Sequence, residues 1–475
     1  MEKRSVTRRE ALKAAGGLAG AVAVTVGGRW LAGSEQPTAA PAYQPAPRKQ
    51  AAPAGSPNFI VILLDDQRWD HLSCMGHPFL ETPHMDRLAQ EGALFQNAFV
   101  TTSLCSPSRA SCLTGKYAHT HGVKNNLTPW DNTANTTFME ALKTAGYRNA
   151  FIGKWHMPGS LPELRGVDRL VTFTAQAGQG QYFDCPLIVD GLEVERPGKY
   201  ITEDLTDFAL EFIRAEKDGP FCLYLAHKAA HHQFLPPPEL KGIYKDKDLS
   251  FLPPESFPAQ TWMPGAYWEG ALGSLDGHYR NYCETLAAVD QQLGRLLDEL
   301  DLLGISQNTV VIYTSDNGYS WGEHIRNGKR WATEENLRVP LLVRYQQGLA
   351  EPGRRPEEMA LNIDLAPTIL DLAGLPVPGE MEGRSLKPVL ENQSTAWRDS
   401  FLYEYFKDFP YNVPEQNALR THEYLYVEYQ GRRAPELYNI QRDPRTLENI
   451  IDTAEGQAQL PALQRLLASY LDGGQ

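Results

Sequence analysis

Cysteine is scarce and poorly spaced for metal: Cys74, Cys105, Cys112, Cys185, Cys222 and Cys283 include no C-x-x-C pair. That excludes the common zinc frameworks. Cys222 lies in an apolar strand-like run, and Cys112 and Cys283 lie in helix-like ones, so these three read as small buried hydrophobes. Cys74 and Cys185 leave a disulfide open. Positive charge is also short. The 45 Lys and Arg against 58 Asp and Glu give a net charge of −13, which argues against nucleic acid or an anionic membrane as the main partner. No apolar run reaches the ~20 residues of a membrane helix, and no repeat with a period of about 20–50 residues is present. What abounds is glycine (39) and proline (34), hence sharp loops, where chemistry on an α/β scaffold sits. With 42% hydrophobic residues over 475 positions, the chain can bury one large core and a smaller one.

The chain begins with Lys3, Arg4, Arg8 and Arg9, followed by a mildly apolar run from Ala14 to Val26. Thr7 to Lys13 resembles the twin-arginine export signal, and the apolar run is too short and Gly-rich for a stable span. Residues 1–33 are therefore expected to direct export to the periplasm or beyond. The Ala/Pro/Gln-rich residues 34–56 read as a disordered linker, with order starting near Pro57.

From there strands and helices alternate. Phe59 to Leu64, Ala150 to Ile152, Phe221 to Ala226 and Thr309 to Tyr313 are apolar runs of strand length. Between them, Met85 to Ala89, Phe138 to Ala145, Leu205 to Ile213 and Leu286 to Leu300 carry helical periodicity. Leu235 to Pro264 reads as a long surface loop. The alternation predicts an α/β fold with a large, mostly parallel sheet sandwiched by helices over 57–365. Residues 366–475 read as a smaller α+β subdomain. Each of the four strands ends in polar residues: Asp65-Asp66, Lys154 with His156, Lys228 with His231, and Asp316-Asn317. In open α/β sheets ligands bind beyond the carboxyl ends of the strands, so four separate segments point to one crevice.

Asp65, Asp66, Asp316 and Asn317 offer only oxygen, which suits Ca²⁺, with Mg²⁺ as the other candidate. Two adjacent carboxylates at a buried strand end repel unless a cation or proton separates them. The plainer reading makes one pair a helix cap and the other a turn before Gly318.

Leu104 to Gly115 contains C-x-P-S-R from Cys105 to Arg109. Pro107 and the surrounding Ser and Thr predict a loop that turns helical near Arg109. Cys105 then feeds a helix N-terminus, which favours an anion. Taken in order with Asp65-Asp66, Gly153-Lys154-Trp155-His156, Lys228-x-x-His231, Thr314 to Gly318 and Gly328-Lys329, this stretch resembles the type I sulfatases of the alkaline-phosphatase superfamily. Asp66 to Asp70, Thr101 to Leu104 and His227 to Ala229 resemble the carbohydrate sulfatases that include N-acetylglucosamine-6-sulfatase. The chain departs from the family's usual Lys-Ala-Pro-His-x-Pro at Ala230 and Gln233.

The resemblance implies an alkaline-phosphatase-like fold and removal of sulfate from a sulfated carbohydrate. Residue 105, oxidised to formylglycine by a formylglycine-generating enzyme, would supply a hydrated aldehyde as nucleophile. It would also be the fifth metal ligand after Asp65, Asp66, Asp316 and Asn317. Arg109 would steady that residue, and Lys154, Lys228 and Lys329 would meet the anionic ester. His231 or Lys329 would protonate the leaving alcohol, and His156 would take a proton from the second hydroxyl. His119 and His121 either line the pocket or cap a helix, and His232 is expected to be exposed. Tyr403 to Phe406, Arg420 and His422 either contact a sugar or belong to ordinary core and surface. A phosphonate or phosphate ester hydrolase of the same superfamily, or a non-catalytic sugar-binding relative, stays open. The sugar, the sulfate position and the oligomeric state are not legible.

Overall fold

The strand Asn58–Leu64 is buried along its whole length. Its alternate side chains serve two cores. Ile60, Ile62 and Leu64 pack on one face with the helices Ile201–Glu216 and Leu275–Leu302. Phe59, Val61 and Leu63 pack on the other with the helices Phe138–Thr144 and Leu365–Leu372. A continuous apolar run is what a strand covered on both faces requires. The structure is a computed structural model, described for residues 40–48, 52–53, 55–158, 164–252, 275–325, 327–393 and 396–473.

Nine strands form the large sheet, in the order Ala93–Leu94, Leu341–Arg344, Thr309–Ser315, Asn58–Leu64, Phe221–Ala226, Arg148–Gly153, Arg169–Thr172, Leu187–Val189 and Leu192–Val194. The five central strands run parallel. The two strands at each edge enter antiparallel. Register aligns the carboxyl ends: Leu63 pairs with Ala226 and Thr314, and Gly153 pairs with Ala226. Asp65, Lys154, His227 and Asp316 therefore leave the sheet in one row.

A second, antiparallel sheet of Ser400–Tyr405, Gln416–Thr421, Tyr424–Tyr429 and Glu436–Asn439 has its own core, closed by the helix Ala454–Leu471. Two of these strands, Gln416–Thr421 and Glu436–Asn439, were not expected. Asn417, Arg420 and Glu436 interrupt their apolar pattern, and sheet pairing outweighs it. The expected boundary at 365/366 falls at the start of a helix whose Ile369 and Leu370 join the large sheet's core.

The expected disorder of 34–56 does not hold for residues 40–48. Tyr43 N–H donates to Glu211 at 2.9 Å, and Arg48 pairs with Glu216 at 2.7 Å, so side-chain anchors fix a segment that has no regular structure. All six cysteines are free thiols, which removes the Cys74–Cys185 disulfide. His232 is half-buried rather than exposed. Residues 235–252 hold no helix or strand; the rest of that loop, and the export signal at 1–33, lie outside the described residues. Among the described residues no helix is long and apolar enough to cross a membrane.

Candidate active site

The helix Cys105–Thr114 starts at the cysteine itself, not near Arg109. Pro107 sits in its first turn, where a backbone N–H would lack a helical partner in any case. Asn126 accepts from the Ser106 N–H at 3.1 Å. Gly153 is held at φ +113, where a Cβ would come within 1.9 Å of the Ala226 carbonyl. Only glycine lets the chain bend there and bring Lys154 over the sheet end. Asp66 (φ +65) and His156 (φ +57) hold left-handed backbone that side chains resist; such strain concentrates at functional sites.

Asp65, Asp66, Asp316 and Cys105 each present a ligand atom, all within 4.8 Å of one another, and all four are buried. Around them stand three cations. Lys154 Nζ donates to Asp65. Lys329 Nζ donates to Asp66 at 2.5 Å and to Cys105 Sγ at 2.7 Å. Arg109 Nε donates to Asp316 at 2.8 Å, and its Nη1 donates to the Lys154 carbonyl at 2.9 Å. His231 Nε2 lies 3.9 Å from Asp66.

The carboxylates do not titrate alike. Burial would raise Asp65, but Lys154, His231, Lys329 and Arg109 hold it well below the usual range. Burial raises Asp66, with Lys329 opposing and Asp65 adding to the rise. Burial and then Asp65 push Asp316 up to about 6 despite Arg109. Burial pushes the Cys105 thiol up to about 12, again with Asp65 adding, so the unmodified residue is a neutral, weak nucleophile.

The donor set fits a hard divalent cation. Three carboxylates converge, and the buried Asn317 Oδ1 has no hydrogen-bond partner. An unpaired buried carbonyl oxygen beside crowded carboxylates is the donor that Ca²⁺ or Mg²⁺ would complete.

Two residues not foreseen shape the rim. Gln179 Oε1 accepts from Lys154 at 2.6 Å, and its Nε2 lies 2.8 Å from His156 Nε2. Lysine can only donate, so Gln179 must donate to His156, whose proton then sits on Nδ1. That Nδ1–H is buried without a partner. His156, expected as a proton acceptor, is thus arranged as a donor. Tyr182 lies under Lys228 Nζ at 4.9 Å and donates to the His231 carbonyl at 2.6 Å. The Gly178-Gln179-Gly180 triplet marks a tight loop, the one sequence signal for Gln179.

Lys228 is buried, donates to the His232 carbonyl at 3.3 Å and makes no direct bond to the carboxylates. Burial, and then Lys154, lowers its pKa to about 8. His119 pairs with Glu404 at 2.8 Å, and His121 lies 3.1 Å from Ser111 Oγ; both belong to bracing. Tyr403 and Tyr405 are core, Arg420 pairs with Glu334 at 2.6 Å, and His422 is exposed.

The Sulfatase family model matches residues 57–375. The C-terminal model of N-sulphoglucosamine sulphohydrolase matches 322–471. An N-acetylglucosamine-6-O-sulfatase of Bacteroides thetaiotaomicron is 32% identical over 86% of this chain and 85% of its own. The human N-acetylglucosamine-6-sulfatase is 29% identical over 75% of this chain and 68% of its own. A solved structure described in complex with its substrate D-glucosamine-2-N,6-O-disulfate superposes with a TM-score of 0.80 at 30% identity, covering 88% of this chain and 98% of that one. The chain belongs to the sulfatase family, within the alkaline-phosphatase superfamily, and is a sulfuric ester hydrolase.

Proposed function

We propose that this sulfatase removes the 6-O-sulfate of an N-acetylglucosamine-type sugar, with residue 105 as formylglycine and Ca²⁺ at the carboxylates. The observation that carries this reading is the buried convergence of Asp65, Asp66, Asp316 and Cys105 under Lys154, Lys329 and Arg109. The 32% identical relative named as an N-acetylglucosamine-6-O-sulfatase supports the choice of sugar.

Asp65, Asp66, Asp316 and Asn317 would hold the ion, which when bound would polarise a sulfate oxygen and separate the carboxylates. Conversion of Cys105 would replace a neutral buried thiol with a hydrated aldehyde able to attack sulfur. Lys154, Lys329 and Lys228 bring positive charge to the anionic ester in a site with little water to screen it. His156 Nδ1–H is a ready donor for a sulfate oxygen. His231 stands beside Asp66, where its ring nitrogen can pass a proton to the departing sugar oxygen. Arg109 neutralises Asp316 and fixes the backbone at Lys154.

Residues 1–33 are proposed to export the chain after maturation by a formylglycine-generating enzyme. The test is sulfate release from N-acetylglucosamine-6-sulfate, beside nitrophenyl sulfate and nitrophenyl phosphate. The reading expects sulfate from the sugar and from nitrophenyl sulfate, with phosphate far slower. Faster phosphate turnover would sink it in favour of a phosphoester hydrolase. Mass spectrometry of the Cys105 peptide checks the conversion of the thiol.

A further inference from the structure

Behind the loop that carries Asp65 and Asp66 lies a cavity of about 400 Å³, within the size range of small-molecule sites. Its lining shares no residue with the reaction centre: Asp65, Asp66, Cys105, Lys154 and Lys329 are all absent from it. Trp69, Phe251 and Tyr279 give it apolar faces, and Arg68, His71 and Glu335 give it polar ones. Two side-chain atoms among these are buried without a hydrogen-bond partner, His71 Nε2 and Glu335 Oε2. The residues are 2% and 5% exposed.

The chemistry of these two atoms narrows the ligand. His71 Nδ1 faces Asp70 Oδ1 at 2.8 Å, and a carboxylate held by Arg68 only accepts. The His71 proton therefore sits on Nδ1, and Nε2 presents a lone pair. Burial, and then Glu323, push Glu335 up to about 8, so near neutral pH its carboxyl both donates and accepts. The guanidinium groups here are committed: Arg68 to Asp70 and Glu323, and Arg338 to the Gln96 carbonyl and the face of Trp69 at 3.8 Å. A second anion would find carboxyls and no cation to spare. A neutral hydroxyl group, which gives and takes a hydrogen bond, answers both orphaned atoms.

We propose that this cavity is a second binding site, separate from the sulfate centre, for a neutral polyhydroxylated ring such as an unsulfated pyranose. Hydroxyls meet His71 Nε2 and Glu335 Oε2 while the C–H face of the ring lies against the aromatic wall. The proposal does not depend on which sulfate ester is cleaved.

The experiment is saturation-transfer NMR of the full chain with methyl glucopyranoside and with N-acetylglucosamine, repeated under saturating inorganic sulfate to fill the reaction centre. Transfer to the ring protons should persist with sulfate present. It should weaken at least about tenfold in Glu335→Ala and in His71→Phe, while nitrophenyl sulfate turnover stays within about twofold. Phe251→Ala, at the mouth and 42% exposed, removes part of the wall at a position tolerant of truncation. It should weaken transfer even if a buried variant fails to fold. No transfer in the wild-type protein, displacement by sulfate, or equal binding in the folded variants would each overturn the site and leave the sulfatase reading untouched.

Discussion

Where the C-terminal sheet meets the large one, buried cations have dedicated partners. Arg398 pairs with Asp364, Arg420 with Glu334, and Arg330 with Asp408 at 2.8 Å. Glu334 is held below the usual carboxylate range because Arg420 outweighs its burial. At the strand ends the arithmetic differs. Three carboxylates share Lys154, Lys329 and Arg109, and Asp316 is pushed up to about 6 by burial and its acidic neighbour Asp65. Both regions bury charge, so burial alone does not mark a reactive site. Crowding of like charge does: paired charges stabilise an interface, whereas a crowded set is left in want of a cation.

That contrast can be broken by mutation. The largest effect belongs to Cys105→Ser, expected to keep the fold but lower nitrophenyl sulfate turnover by at least about a thousandfold. Wild-type turnover in that variant would remove residue 105 from the chemistry. Asp316→Ala should empty the metal site and cost upwards of about a hundredfold in rate, with metal content read by elemental analysis. An unchanged metal content would refute the assignment.

Arg398→Ala tests the other side. It strands the buried Asp364 carboxylate, at a cost of about 3–5 kcal/mol of stability, measured by denaturant unfolding. Turnover per folded molecule should stay near wild type, and a selective loss of kcat would erase the distinction between the two regions.

The smallest effect is one of pH. Lys228, lowered to about 8 by burial and by Lys154, is charged below that value and neutral above it. Its cation is therefore lost as pH rises, and kcat/KM should fall through about pH 8. Lys228→Arg keeps its charge and should move the fall upward. An unshifted profile would show that Lys228 is not the group responsible.

Much of the centre was legible in the sequence. Asp65, Asp66, Lys154, Asp316 and Asn317 directly follow apolar strands or a strand-ending glycine, and a parallel sheet must deliver such residues to one edge. Cys105 and Arg109 were legible through their motif. Gln179 was not, because it acts on Lys154 and His156 across more than 20 residues from a loop with no periodicity. The anchoring of residues 40–48 escaped for a similar reason: their composition is that of a linker, and Tyr43 and Arg48 find partners only on a folded helix.

The sequence by itself determined the parallel α/β sheet, the row of polar strand ends and the identity of the charged groups. These follow from local periodicity and from which residue types can be buried. Tertiary structure alone decided which cation answers which carboxylate, which nitrogen of His156 holds the proton, and that a separate cavity forms behind the loop. Those outcomes depend on distances between segments far apart in the chain, and no local pattern encodes them.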